Sequence, residues 1–226
     1  MLKQVVTILT LLIATLPVVA EGFCLNVEDK APPEEVSDEI KAQLAGKSHQ
    51  ISDDAGMFFE FWFVKELSLS AIGETTKKSL DNLEEIALIG VAIVYENDEE
   101  YTDFREDPID PGIYIMRLSL QPQDGNHMGT SPFDSFAILV PYEKDADVLE
   151  FMDPEEMVDI ASEDTPAEHP PILSLQPTDH AEGDFPRMEE EEEEEWHFLS
   201  IKIPAIAGDE KTELPLNLVV VGIGEL

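Results

Sequence analysis

The residues best suited to chemistry lie in one stretch, Asp124-Gly125-Asn126-His127-Met128-Gly129. Asp, Asn and His each offer a lone pair to a cation, and folding can bring Asp134 and His169 to the same point. A histidine among oxygen ligands suits zinc, manganese or a similar divalent ion. The metal set is therefore Asp124, His127, Asp134 and His169. Its spacing matches no established metal motif, and Asp-Gly builds tight turns for purely structural reasons. The structural reading of this loop takes precedence, and no cofactor is expected beyond that ion.

Arg117 is the second residue of interest. With Arg105 and Arg187 it makes up the whole arginine complement, and it falls within an apolar run. Its planar fork matches a carboxylate. Asp124, Asp134 or another acid is expected to pair with it and pin the loop to the sheet, while a contact to a carboxylate ligand is the functional alternative. The ligand-binding set is Arg117, Asp124 and His127.

Enzyme signatures are missing. There is no Gly-x-Ser-x-Gly elbow and no His-Glu-x-x-His. With 50 Asp+Glu in 226 residues, paired carboxylates carry no information about glycosidase chemistry. Gly222-Ile223-Gly224 precedes no helix that would turn its N-terminus toward a phosphate. Trp62, Trp196, Phe58, Phe59, Phe61 and Phe63 make an aromatic set whose members fall on both faces of a strand, so core is preferred over a sugar platform.

Residues 1–20 read as a cleavable signal peptide. Lys3 supplies the charge, 5–16 the apolar stretch, Pro17 the break and Val18-Val19-Ala20 the small residues of the cut. A membrane-spanning helix needs about 20 apolar residues, more than this run holds. Phe23 before Cys24 is too bulky for a lipid-modified cysteine. The expected destination is secreted or periplasmic. Cys24 is the one cysteine, so no intrachain disulfide braces the fold.

A net charge of −37 repels nucleic acid and anionic membranes, which are bound chiefly through Lys and Arg. The partners expected are therefore neither nucleic acid nor, after signal cleavage, a membrane; an unknown ligand or protein remains. The seven glutamates 189–195 read as a solvated, self-repelling loop.

The framework that must position these residues reads as all-β. Strands are expected at 57–64, 86–95, 113–121, 135–140, 172–175, 196–203 and 214–223, each apolar and bounded by turn residues. Helices are expected at 37–44, capped by Ser37, and from Asp153-Pro154 to 160. Residues 21–33 read as a flexible lead-in and 34–226 as a single β-sandwich with one or two short helices and an acidic loop at 178–195. The loop 122–132 exceeds the usual hairpin length of about two to five residues.

Several segments resemble an uncharacterised family of predicted secreted bacterial proteins of the planctomycete type. They are Glu60-Phe61-Trp62-Phe63-Val64-Lys65, Pro111-Gly112-Ile113-Tyr114-Ile115-Met116-Arg117, the 121–129 stretch and Leu214-Pro215-Leu216 with Val219-Val220-Val221-Gly222. That resemblance implies a shared fold and export, without an activity. The Pro-Gly-x-Tyr turn is also similar to one in transthyretin-like modules. The expected function is an exported, non-catalytic binding or structural module. The alternative is a metal-binding protein or metal-dependent enzyme centred on 122–134.

Overall fold

Apolar runs rich in aromatic and β-branched residues become strands here, and several are buried on both faces. The computed structural model describes residues 18–20, 22–97, 101–121, 133–145, 153–163, 165, 169–180 and 182–224. In chain order the strands are β1 Val18–Ala20, β2 Phe23–Glu28, β3 Ser48–Ser52, β4 Met57–Phe63, β5 Leu67–Ser68, β6 Leu88–Val94, β7 Gly112–Leu120, β8 Ser135–Pro141, β9 Ile172–Pro177, β10 Arg187–Glu191, β11 Trp196–Ala207 and β12 Glu210–Val221. The helices are α1 Asp38–Gln43, α2 Thr76–Leu80 and α3 Pro154–Ser162.

The all-β expectation holds, with a difference in how the strands are arranged. They form one continuous sheet in the order β1-β2-β3-β4-β6-β7-β8-β9-β12-β11-β10, with β5 attached to β11. Every pair along that path is antiparallel; β5 runs parallel to β11. Instead of splitting into two stacked layers, the sheet curls until β1 and β2 lie against β10, nearly a barrel. Strand twist accumulates across so many neighbours and turns a flat sheet into a coiled one.

One face of the sheet holds much of the main core. Phe59, Phe61 and Phe63 stack in a ladder at 5.1 and 5.9 Å between ring centroids. Met116, Leu139, Leu175, Leu199, Leu216 and Leu218 are buried in the same cluster. Alternation places Glu60 and Trp62 on the other face of β4. There the chain also covers them, so β4 is buried at all but its first residue. Gly90 of β6 lies under Trp62: a Cβ at Gly90 would stand 2.2 Å from the Trp62 carbonyl oxygen.

Local signals account for the helices. Ser37 accepts a hydrogen bond from Ile40 N and caps α1, which buries Ile40. Asp153 accepts from Glu155 N with Pro154 in the first turn of α3. That helix sets Met157 and Ala161 on Ile138 and Val140 of β8. The third helix, α2, was not expected: five residues carry no periodicity, and the Thr75 cap accepting from Lys78 N marks its start.

Three boundaries differ from the sequence reading. Residues 21–33 are not simply a lead-in, because β2 pairs with β3 from Cys24↔Ser52 to Glu28↔Ser48. Phe23, Leu25 and Val27 alternate with Cys24, Asn26 and Glu28, the period of a strand. Within 178–195, Arg187–Glu191 is β10, paired with β11, so three of the seven glutamates lie in a strand and 192–195 form the hairpin turn. An edge strand needs one inward apolar residue, and Met188 supplies it. Of the expected signal segment, Val18–Ala20 pair with Phe23–Leu25, and 1–17 lie outside the described residues.

Candidate functional site

Arg117 lies mid-way along β7, on the face of the sheet opposite Met116 and Leu118, and is 5% exposed. Its Nε donates to Asp145 Oδ2 at 2.5 Å and its Nη2 to Oδ1 at 2.7 Å; Nη1 donates to the Ile86 carbonyl at 3.0 Å. Asp145 is buried too. The expected buried ion pair is present, but Asp134 is not its carboxylate. Asp134 instead accepts from Lys77 Nζ at 3.1 Å, and Lys77 also reaches Asp81 at 3.1 Å. Register explains this. Ser135 pairs with Leu120 and the Gln121 amide donates to the Asp134 carbonyl, so Asp134 lies four strand residues, about 13 Å, along the sheet from Arg117. Asp145 arrives because the turn after β8 folds the chain back.

Of the metal set, Asp124 and His127 lie outside the described residues. His169 is exposed, and its carbonyl accepts from Thr165 Oγ1 at 2.8 Å. Among the described residues no three His, Cys, Asp or Glu side chains are grouped so as to hold a metal ion.

Two buried acids that the sequence reading missed are hubs. Glu60 is fully buried and takes both hydrogen bonds of a Lys30 pair at 2.8 Å, one from Tyr95 Oη at 2.7 Å and one from Gln50 Nε2 at 3.0 Å. Burial alone would push its carboxyl up, but the donors Lys30, Tyr95, Gln50 and Ser48 together hold it below the ordinary carboxylate range. The same arrangement pushes the Tyr95 hydroxyl well up, through burial first and then Glu60. An anion so fully engaged is a brace rather than a base. Asp103 accepts from the amides of Arg105 at 2.7 Å, Asp107 at 3.1 Å and Ile172 at 3.2 Å, fastening the 103–107 loop to β9. Arg105 completes the clasp by donating to the Pro170 carbonyl at 2.6 Å.

The aromatic set is core. Trp62 is 1% exposed, with Nε1 donating to the Lys30 carbonyl at 3.0 Å, and Phe58, Phe59 and Phe61 are fully buried. Trp196 packs among Phe104, Phe136, Ile172, Phe198 and Val219.

A groove of about 290 Å³ lies between the 108–114 turn, the turn after β8 and the end of α3. Pro108, Pro141, Pro171, Ala161 and Tyr114 give it apolar walls; Asp110, Glu143 and Glu163 line it with carboxylates, and Lys144 and Thr165 complete it. The Tyr114 hydroxyl is pushed up to about 12, by burial first and then by the charges of Asp110 and Glu143. The turn cluster at 108–112 was legible in the sequence. Its meeting with Glu143, Lys144, Glu163 and Thr165 depends on α3 crossing β8, which no local pattern encodes.

Comparison with protein-family models, curated proteins and solved structures found no match to this chain.

Proposed function

We propose that this protein is an exported, non-catalytic β module that binds or scaffolds another molecule. The observation that carries the reading is the Arg117–Asp145 pair: the side chain best suited to grip a ligand carboxylate is spent internally, holding the 141–145 turn to the sheet. Glu60 and Asp103 are committed in the same manner, to Lys30 and to backbone amides. These polar groups build architecture and leave recognition to the surface. The signal-like residues 1–20 and the charge of −37 support a destination outside the cytoplasm, with neither nucleic acid nor an anionic membrane as partner.

The test is an extracellular hydrolase panel run on exported protein, with its intact mass and metal content measured on the same sample. A mass lacking residues 1–20, no turnover and substoichiometric metal are expected. Turnover that disappears in His127→Ala or Asp124→Asn, together with bound metal, would replace this reading with a metalloenzyme on the 122–134 loop.

A further inference from the structure

We propose that the groove beside Tyr114 receives the guanidinium end of an arginine side chain presented by a partner polypeptide. This deepens the binding-module reading and rests on it.

The argument is an inventory of donors and acceptors. Each side-chain donor on the walls is engaged. Tyr114 Oη donates to the Asp110 carbonyl at 2.7 Å, and Thr165 Oγ1 lies 2.8 Å from the carbonyls of both Ser162 and His169. Lys144 Nζ donates to the Glu163 carbonyl at 3.2 Å and to its carboxylate at 3.1 Å. Three of the wall's backbone amides are engaged as well: Lys144 N donates to Pro141 O at 2.9 Å, Glu163 N to Asp159 O at 3.1 Å and Thr165 N to Ser162 O at 3.2 Å. Three of the lining residues are prolines and have no N–H.

The walls therefore offer acceptors. A carboxylate has about four lone-pair sites, and three acidic residues, Asp110, Glu143 and Glu163, line the groove against one lysine tied to Glu163. An anionic ligand is repelled, and a sugar needs donors as well as acceptors. A guanidinium brings about five donors and no acceptor, which is the complement of these walls. The aliphatic stem of such a side chain lies well on proline, alanine and tyrosine surface. A volume of about 290 Å³ accommodates one long side chain, not a folded element. The charges of Asp110 and Glu143 add, after burial, to the upward push on the Tyr114 hydroxyl.

The experiment is an NMR titration of the exported, isotope-labelled protein with acetyl-Gly-Arg-Gly-amide. The citrulline peptide, equal in shape and uncharged, is the control. Amide signals of Tyr114, Lys144 and Glu163 are expected to move with the arginine peptide alone. Asp110→Asn with Glu143→Gln, both at exposed positions, should weaken binding about tenfold. Glu192→Gln with Glu194→Gln in the hairpin turn should change it less than about twofold. Equal binding of the citrulline peptide, loss on the hairpin substitutions instead, or no shift at about 10 mM peptide would overturn the site. Tighter binding of free arginine amide than of the peptide would overturn the polypeptide assignment. None of these touches the module reading, which would fall instead if the peptide were hydrolysed.

Discussion

Arg117 and Asp145 meet fork to fork, Nε to Oδ2 at 2.5 Å and Nη2 to Oδ1 at 2.7 Å, with 5% and 3% of their surfaces exposed. The two residues lie 28 apart in sequence, so the pair closes a loop of the chain as well as neutralising two buried charges.

Removing one partner strands the other. Arg117→Met or Asp145→Leu should each lower the unfolding free energy by about 3–5 kcal/mol. The double substitution should recover most of that loss, since a packed apolar pair avoids desolvating two ions. Urea unfolding of the four proteins measures the coupling; additive losses would show that the two side chains act independently.

The Glu60 carboxyl is held below its ordinary value of 4.5 in the folded protein, so folding stability from it is fully present above pH 4.5. It is lost as pH falls through the depressed folded value, where the unfolded chain has already taken its proton. The difference in unfolding free energy between wild type and Glu60→Gln should therefore shrink steadily below pH 4.5. Taking the difference cancels the relief of repulsion as the other acids are neutralised. A gap constant from pH 7 to pH 3 would contradict the assignment.

Gly90→Ala should cost about 1–3 kcal/mol, because a methyl group would meet the Trp62 carbonyl oxygen at 2.2 Å and Met116 Cε at 2.8 Å. Backbone in β4 cannot yield as a flexible side chain does. Gly46→Ala is the control, with nothing within 4 Å of the new carbon, and should stay within about 0.5 kcal/mol. Chemical denaturation compares the two.

Excess negative charge opposes compaction, and salt screens it. With a net charge of −37, the melting temperature should climb as NaCl rises from about 0.01 M to about 1 M, most steeply at the low end where the screening length changes most. A flat profile in scanning calorimetry would sink the claim that charge repulsion weakens this fold.

Much of the fold was written locally. The Phe and Trp run of β4, the apolar β6 and β8, the Ser37 cap and the Asp153-Pro154 start all carry their signal within a few residues. β2 carried one too, in the alternation of Phe23, Leu25 and Val27, but its polar company and the nearby Pro32-Pro33 obscured it. β10 carried almost none: one methionine among acids becomes a strand because β11 offers an edge. The curl of the sheet depends on which strands end up as neighbours, as in β9 beside β12, and that lies beyond any local pattern. The same holds for the groove. Tyr114 and its turn were visible, whereas Glu163 reaches them only after α3 has docked through Met157 and Ala161.

β10 is hydrogen-bonded to β11 on one side and lies against β1 and β2 on the other, and Glu189, Glu190 and Glu191 make up most of it. Cleavage after residue 20 would remove β1 and bare part of that edge, and the like charges would then make it a poor template for a second chain, since two copies brought edge to edge would set carboxylate rows against each other. The glutamate tract is thus a colloidal safeguard for a sheet that stops just short of closing.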